Sequence, residues 1–102
     1  MIFEFYRFEE LIATIEADYK SNRVVVTNYT DDIMDRPFGR KDNITWSDWE
    51  YFLESRCFPR TRDHADMILQ EMGLDHYSPL DIVLKTEGRM AEDHFWLKNI
   101  TE

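Results

Sequence analysis

Residues 8–19 read Phe8-Glu9-Glu10-Leu11-Ile12-Ala13-Thr14-Ile15-Glu16-Ala17-Asp18-Tyr19. Phe8, Leu11, Ile12, Ile15 and Tyr19 fall at i, i+3, i+4, i+7 and i+11, so the spacing predicts one apolar stripe of an amphipathic helix. Glu9, Glu10, Glu16 and Asp18 lie off that stripe and are expected to face water, and Ser21-Asn22 ends the segment. Upstream, Ile2-Phe3-Glu4-Phe5-Tyr6 reads as a short opening strand. Downstream, Arg23-Val24-Val25-Val26-Thr27-Asn28-Tyr29 is the strongest strand in the sequence, because β-branched residues suit a pleated surface and crowd a helix. Thr30 to Asn43 holds aspartates, Pro37 and Gly39 and reads as a loop, of a length that is usually functional or mobile.

The second half is predicted to be helical. Thr45 is placed to cap a helix with Asp48 at its third position, and Trp49, Phe52 and Leu53 form the inner face. Pro59 interrupts it. Thr61 reads as the cap of a further helix carrying Ala65, Ile68, Leu69 and Met72. Gly73 then takes the left-handed end position, and Leu74 makes the accompanying apolar contact. Ser78-Pro79-Leu80-Asp81 opens the last helix and Gly88 closes it. His94 to Ile100 reads as a final strand expected to pair with Val24–Val26. The expected architecture is therefore α+β, a single small domain spanning 1–102: a short β-sheet, an N-terminal helix and a compact group of three short helices.

Composition limits what such a domain does. The chain has 102 residues and 12.4 kDa, enough for one core. It holds 21 acids against 12 bases, a formal net charge of −9, where a freely sliding DNA binder would be basic. The single cysteine, Cys57, excludes an intrachain disulfide. The N-terminus lacks the basic and apolar regions of a signal peptide, so the expected compartment is the cytoplasm, with no membrane contact. The sequons at Asn28, Asn43 and Asn99 then read as chance matches.

Catalytic chemistry finds little footing. Cys57-Phe58-Pro59-Arg60-Thr61-Arg62 lacks the small residues and arginine spacing of a phosphate-cradling cysteine loop, and free cysteine is among the most buried residue types. Cys57 therefore reads as a core thiol. Asp63-His64-x-Asp66 and Glu92-Asp93-His94 contain ligand types, but neither reproduces a metal-ligand spacing. No glycine-rich phosphate loop, GxSxG or HExxH is present. The expectation is a non-enzyme that takes no cofactor, no metal and no small-molecule substrate. Residues 62–72 and 79–86 resemble a helix–turn–helix in outline. Their turn is too long, however, and the second helix carries Asp81, Lys85 and Glu87 and no arginine. The aromatic side chains Trp49, Trp96, Phe52, Phe58 and Phe95 read as core, with Trp46 the tryptophan expected to be exposed.

Charge supplies the candidate binding residues. Residues 1–35 carry 8 acids and 3 bases, 36–62 carry 4 acids and 6 bases, and 63–102 carry 9 acids and 3 bases. Arg56, Arg60 and Arg62, with Arg36, Arg40 and Lys41 nearby, form a basic candidate set suited to phosphate or carboxylate. Asp31, Asp32, Asp35, Asp75, Glu87, Glu92 and Asp93 form the acidic candidate set, which can imitate nucleic-acid phosphates in a basic groove.

The strings Val26-Thr27-Asn28-Tyr29-Thr30-Asp31, Phe52 to Arg62, Gly73 to Ile82 and Lys85 to Trp96 resemble small accessory proteins carried on plasmids, conjugative elements and prophages of Gram-positive bacteria. The resemblance spans most of residues 23–98 and brings no catalytic motif. It implies an antagonist of host defence, of the anti-CRISPR kind, whose partner is a defence nuclease such as a Cas9-type effector. Two mechanisms fit: the acidic set competes for the arginines that read the short duplex motif beside the target, or Arg56, Arg60 and Arg62 compete for guide RNA. A nucleic-acid-binding regulatory accessory of the element, and a protein-binding adaptor or antitoxin-like module, are the alternatives.

Overall fold

The computed structural model describes residues 1–101. Among these residues, four strands and three helices follow in the order β1 (Ile2–Arg7), β2 (Glu10–Asp18), β3 (Arg23–Asn28), α1 (Trp46–Ser55), α2 (Ala65–Glu71), α3 (Pro79–Thr86) and β4 (Phe95–Asn99). The strands form one antiparallel sheet in the order β3-β2-β1-β4. Phe3, Phe5, Ala13, Ile15, Ala17 and Leu97 are buried on one face, together with Trp49, Phe52 and Leu53 of α1 and Ile82 and Val83 of α3. The opposite face carries Glu4, Thr14, Glu16, Val25, Thr27 and Lys98, all exposed or half-buried. The α+β class and the single domain agree with the sequence.

The N-terminal helix does not exist: residues 10–18 are the strand β2. The cause is a β-bulge. Phe5 faces Ala13, yet Tyr6 faces Leu11, so Ile12 is an extra residue in the ladder. Ile12 and Ala13 are consequently both buried, and the alternation resumes through Ile15 and Ala17. The added residue produces the Ile12-to-Ile15 spacing that imitates a helical stripe. The β1–β2 turn gives no help either, since Phe8, not a glycine or asparagine, takes its left-handed position at φ 53°.

With β2 in the sheet, β4 has a different neighbour from the one expected. It pairs with β1, Phe5 facing Leu97, and β3 lies at the far edge. The helix signals were better placed. Thr45 and Asp48 form a reciprocal capping box, with Asp48 N–H donating to Thr45 Oγ1 at 3.2 Å and Thr45 N–H to Asp48 Oδ2 at 2.8 Å. The hydrogen bond from Lys41, with that from Thr45, holds the Asp48 carboxyl down to about 2. Leu74 N–H closes α2 onto Leu69 C=O at 2.8 Å, with Gly73 at φ 78°. Ser78 caps α3 and Pro79 sits in its first turn. Thr61 is no cap. α2 starts four residues later, after His64 in a left-handed conformation without a side-chain cap.

Candidate functional site

The most constructed polar arrangement lies where α1 ends. Arg56 follows its last turn and is only 8% exposed. Its guanidinium grips Asp93 at both oxygens, 2.8 and 2.9 Å, and donates to Phe95 C=O at 3.0 Å, while Nε donates to Gly88 C=O at 2.9 Å. Asp93 Oδ1 also accepts from Phe95 N–H at 3.0 Å. The paired guanidinium holds the Asp93 carboxyl below the usual carboxylate range. Leu97 N–H donates to Glu87 C=O at 2.7 Å. Together these bonds tie the α3–β4 link to α1 and cover the outer edge of β4.

Around this clamp the structure gathers several of the sequence candidates. A cleft of about 290 Å³ has Cys57, Ile68, Met72 and Ile82 along its floor and Arg62, Arg89 and Glu92 at its rim. Arg60 lies outside it, pairing with Glu54 at 2.6 Å and resting over the Tyr77 ring at 4.4 Å. Glu87 pairs with Arg89 at 3.1 Å. The remaining acids are elsewhere. Asp31, Asp32 and Asp35 lie on the β3–α1 link, with Arg36 no nearer to Asp31 than 3.9 Å and Asp32 accepting from Met34 N–H. Asp75 occupies the α2–α3 turn beside His76 at 2.6 Å, which lowers its carboxyl pKa. The acidic set thus comes from three links of the chain, β3–α1, α2–α3 and α3–β4, and the three arginines differ in their surroundings: Arg56 is buried in the clamp, Arg60 is paired with Glu54 and Arg62 stands at the cleft rim.

Cys57 sits under the cleft, its Sγ directed at Leu53 C=O, 3.2 Å away. Burial, reinforced by Glu54, pushes the thiol up to about 11. At pH 7.5 iodoacetamide should therefore label the folded protein at least about a hundredfold more slowly than the urea-unfolded chain. Equal rates in a stopped alkylation series read by mass spectrometry would show a reactive thiol. Among the described residues, no three His, Cys, Asp or Glu side chains converge as metal ligands. The second helix of the helix–turn–helix outline, α3, buries Ile82 and Val83 against the core and does not project.

One cluster was not visible in the sequence. Tyr6 stacks on Trp96 at 4.7 Å, Arg89 rests over the same indole at 4.5 Å, and Phe8 stacks on His94 at 4.2 Å. Phe8 is 55% exposed, and Trp96 is half-buried on the outer face of the sheet, not in the core. Only the register of β1 against β4 brings Tyr6 opposite Trp96. Trp46, expected at the surface, is half-buried edge-on against Tyr19 at 4.6 Å. Comparison with known protein families, curated proteins and solved structures finds no match to this chain.

Proposed function

We propose that this chain is a non-enzymatic inhibitor encoded by a mobile element, acting in the host cytoplasm by binding a defence nuclease of the Cas9 type. In this reading its carboxylates occupy the groove that target DNA would enter. The disposition of charge supports the acidic mechanism over the guide-RNA mechanism. Arg56 is engaged inside the fold and Arg60 is held by Glu54 and Tyr77, which leaves Arg62 as the one of these three arginines not held in an ion pair among the described residues. Among the described residues the exposed Asp32 and Glu92 and the half-buried Asp35 are in no ion pair, and Asp31 is fully exposed at the end of a loose one. Exposed carboxylates of this kind steer association with a cationic groove.

Size-exclusion co-elution with the nuclease in empty, guide-loaded and DNA-bound forms tests the proposal. Binding to the guide-loaded form and exclusion by target DNA is the expected result. Asp31→Lys, Asp32→Lys and Glu92→Lys together should weaken that binding at least about tenfold, or ~1.4 kcal/mol, and flatten its salt dependence. Arg62→Glu should change it much less. Retention of full inhibition by the acid-reversed protein would end the mimicry mechanism. A shift of free duplex or free guide by the chain alone would favour a nucleic-acid-binding accessory instead.

A further inference from the structure

The two edges of the sheet are treated differently. The β4 edge is covered: Leu97 N–H, Phe95 N–H and Phe95 C=O are bonded to Glu87, Asp93 and Arg56. The β3 edge has no such cover among the described residues. Tyr29 N–H donates to Ile12 C=O at 2.8 Å, and Asn28 faces Ala13. In an antiparallel ladder that phase makes Arg23, Val25 and Thr27 the residues bonded to β2. Val24, Val26 and Asn28 therefore present N–H and C=O outward. Nothing on this strand blunts the edge: it has no proline, lysine or bulge, and Val25 is 57% exposed.

Charge identifies what fits there. Residues 19–30 contain no carboxylate, the longest such run in the chain, and carry Lys20 and Arg23 at one end of β3. The other end runs directly into Asp31 and Asp32, both exposed. A strand that is cationic at its start and anionic beyond its end is complementary to itself when laid antiparallel. We propose that β3 is a self-association edge, pairing with β3 of a second copy about a two-fold axis at Val26, so that two four-stranded sheets join into one. Val26 then bonds its symmetry mate, and Val24 bonds Asn28 of the partner subunit. On the outer face Arg23 lies opposite Tyr29 of the partner subunit and Val25 opposite Thr27 of the partner subunit, pairs of the kind that stabilise sheets. Lys20 and Arg23 run beside Asp31 and Asp32 of the partner subunit, and the two-fold axis makes every such contact twice. The acid-free run keeps like charge of two −9 chains away from the seam. This inference does not rest on the inhibitor reading, because no nuclease enters its test.

Sedimentation equilibrium of the full chain from ~5 to ~500 µM, a range suited to an edge contact smaller than a standard interface, measures the effect. The expected result is a mass rising from 12.4 kDa towards twice that value. Val26→Pro removes only an outward N–H and keeps the ladder to β2, so it should stay monomeric with its circular dichroism spectrum unchanged. Lys20→Glu and Asp31→Lys, both at exposed positions, should each weaken association about fivefold or more at low salt, and the double variant should recover it. A mass of 12.4 kDa throughout overturns the proposal. So does a dimer that survives Val26→Pro, and so does a charge swap that fails to restore association.

Discussion

Arg56→Ala is expected to unfold the domain at temperatures where the parent is fully folded. Truncation strands a half-buried Asp93 carboxylate and leaves Gly88 C=O and Phe95 C=O without their donor. Breaking a buried pair by removing one partner costs about 3–5 kcal/mol, because the other charge stays desolvated. For a domain this size each kcal/mol lowers Tm by about 4–8 °C. Arg56→Lys should recover little, since an ammonium cannot span both Asp93 oxygens and two carbonyls at once. Gly88 is buried against the Arg56 stem and Leu97, where an added Cβ would meet Leu97 Cδ1 at 3.1 Å. The clamp thus fixes the backbone of the link as well as its charge.

The same pair makes a pH prediction with a definite sign. Arg56 depresses the Asp93 pKa in the folded state, so the pair's stabilisation is present above the unfolded carboxyl value, near 3.9, and is lost as pH falls through the depressed one. Carboxyl-detected NMR titration of Asp93 should show its midpoint below the ordinary range in the parent. Asp93→Asn should weaken the parent's stability at pH 7 and remove that acid-side contribution. A small change in Tm for both Arg56→Ala and Asp93→Asn would mean that the clamp is replaceable by water.

How much of this was legible in the sequence depended on where each signal resides. Caps are local, so Thr45 with Asp48, Gly73 with Leu74, and Ser78 with Pro79 could be read directly. The β2 segment was misread because one bulged residue, Ile12, changes the apparent period over a nine-residue strand. That error propagated. A helix at residues 10–18 would leave β3 as the neighbour of β4, so neither the covered β4 edge nor the open β3 edge follows from the local pattern. Site residues suffered likewise. Arg56 and Asp93 were both singled out by charge, yet their mutual contact spans 37 positions and nothing local announces it. The Tyr6–Trp96 stack is likewise a consequence of register, and the chemistry of either residue alone does not reveal it.

Trp49→Ala is the other large effect. The indole is fully buried beside Phe3, at 5.5 Å, and Phe52, at 6.0 Å, and so fastens α1 to the centre of the sheet. Its removal empties the largest buried side chain and should cost about 3–5 kcal/mol. Trp49 Nε1–H also donates to Tyr19 Oη at 2.9 Å, joining α1 to the β2–β3 turn. Tyr19→Phe leaves that buried donor unpaired and should cost about 1–3 kcal/mol. If the bond carries this energy, the double variant Trp49→Phe, Tyr19→Phe will be less destabilised than the sum of the singles by a similar amount in urea melts. Additive losses would place the energy wholly in packing. The distinction matters for β3, because the turn that Tyr19 steadies also presents Lys20 at the start of the open edge. A loosened turn should then weaken self-association in Tyr19→Phe without changing the strand itself, which the same sedimentation series can read.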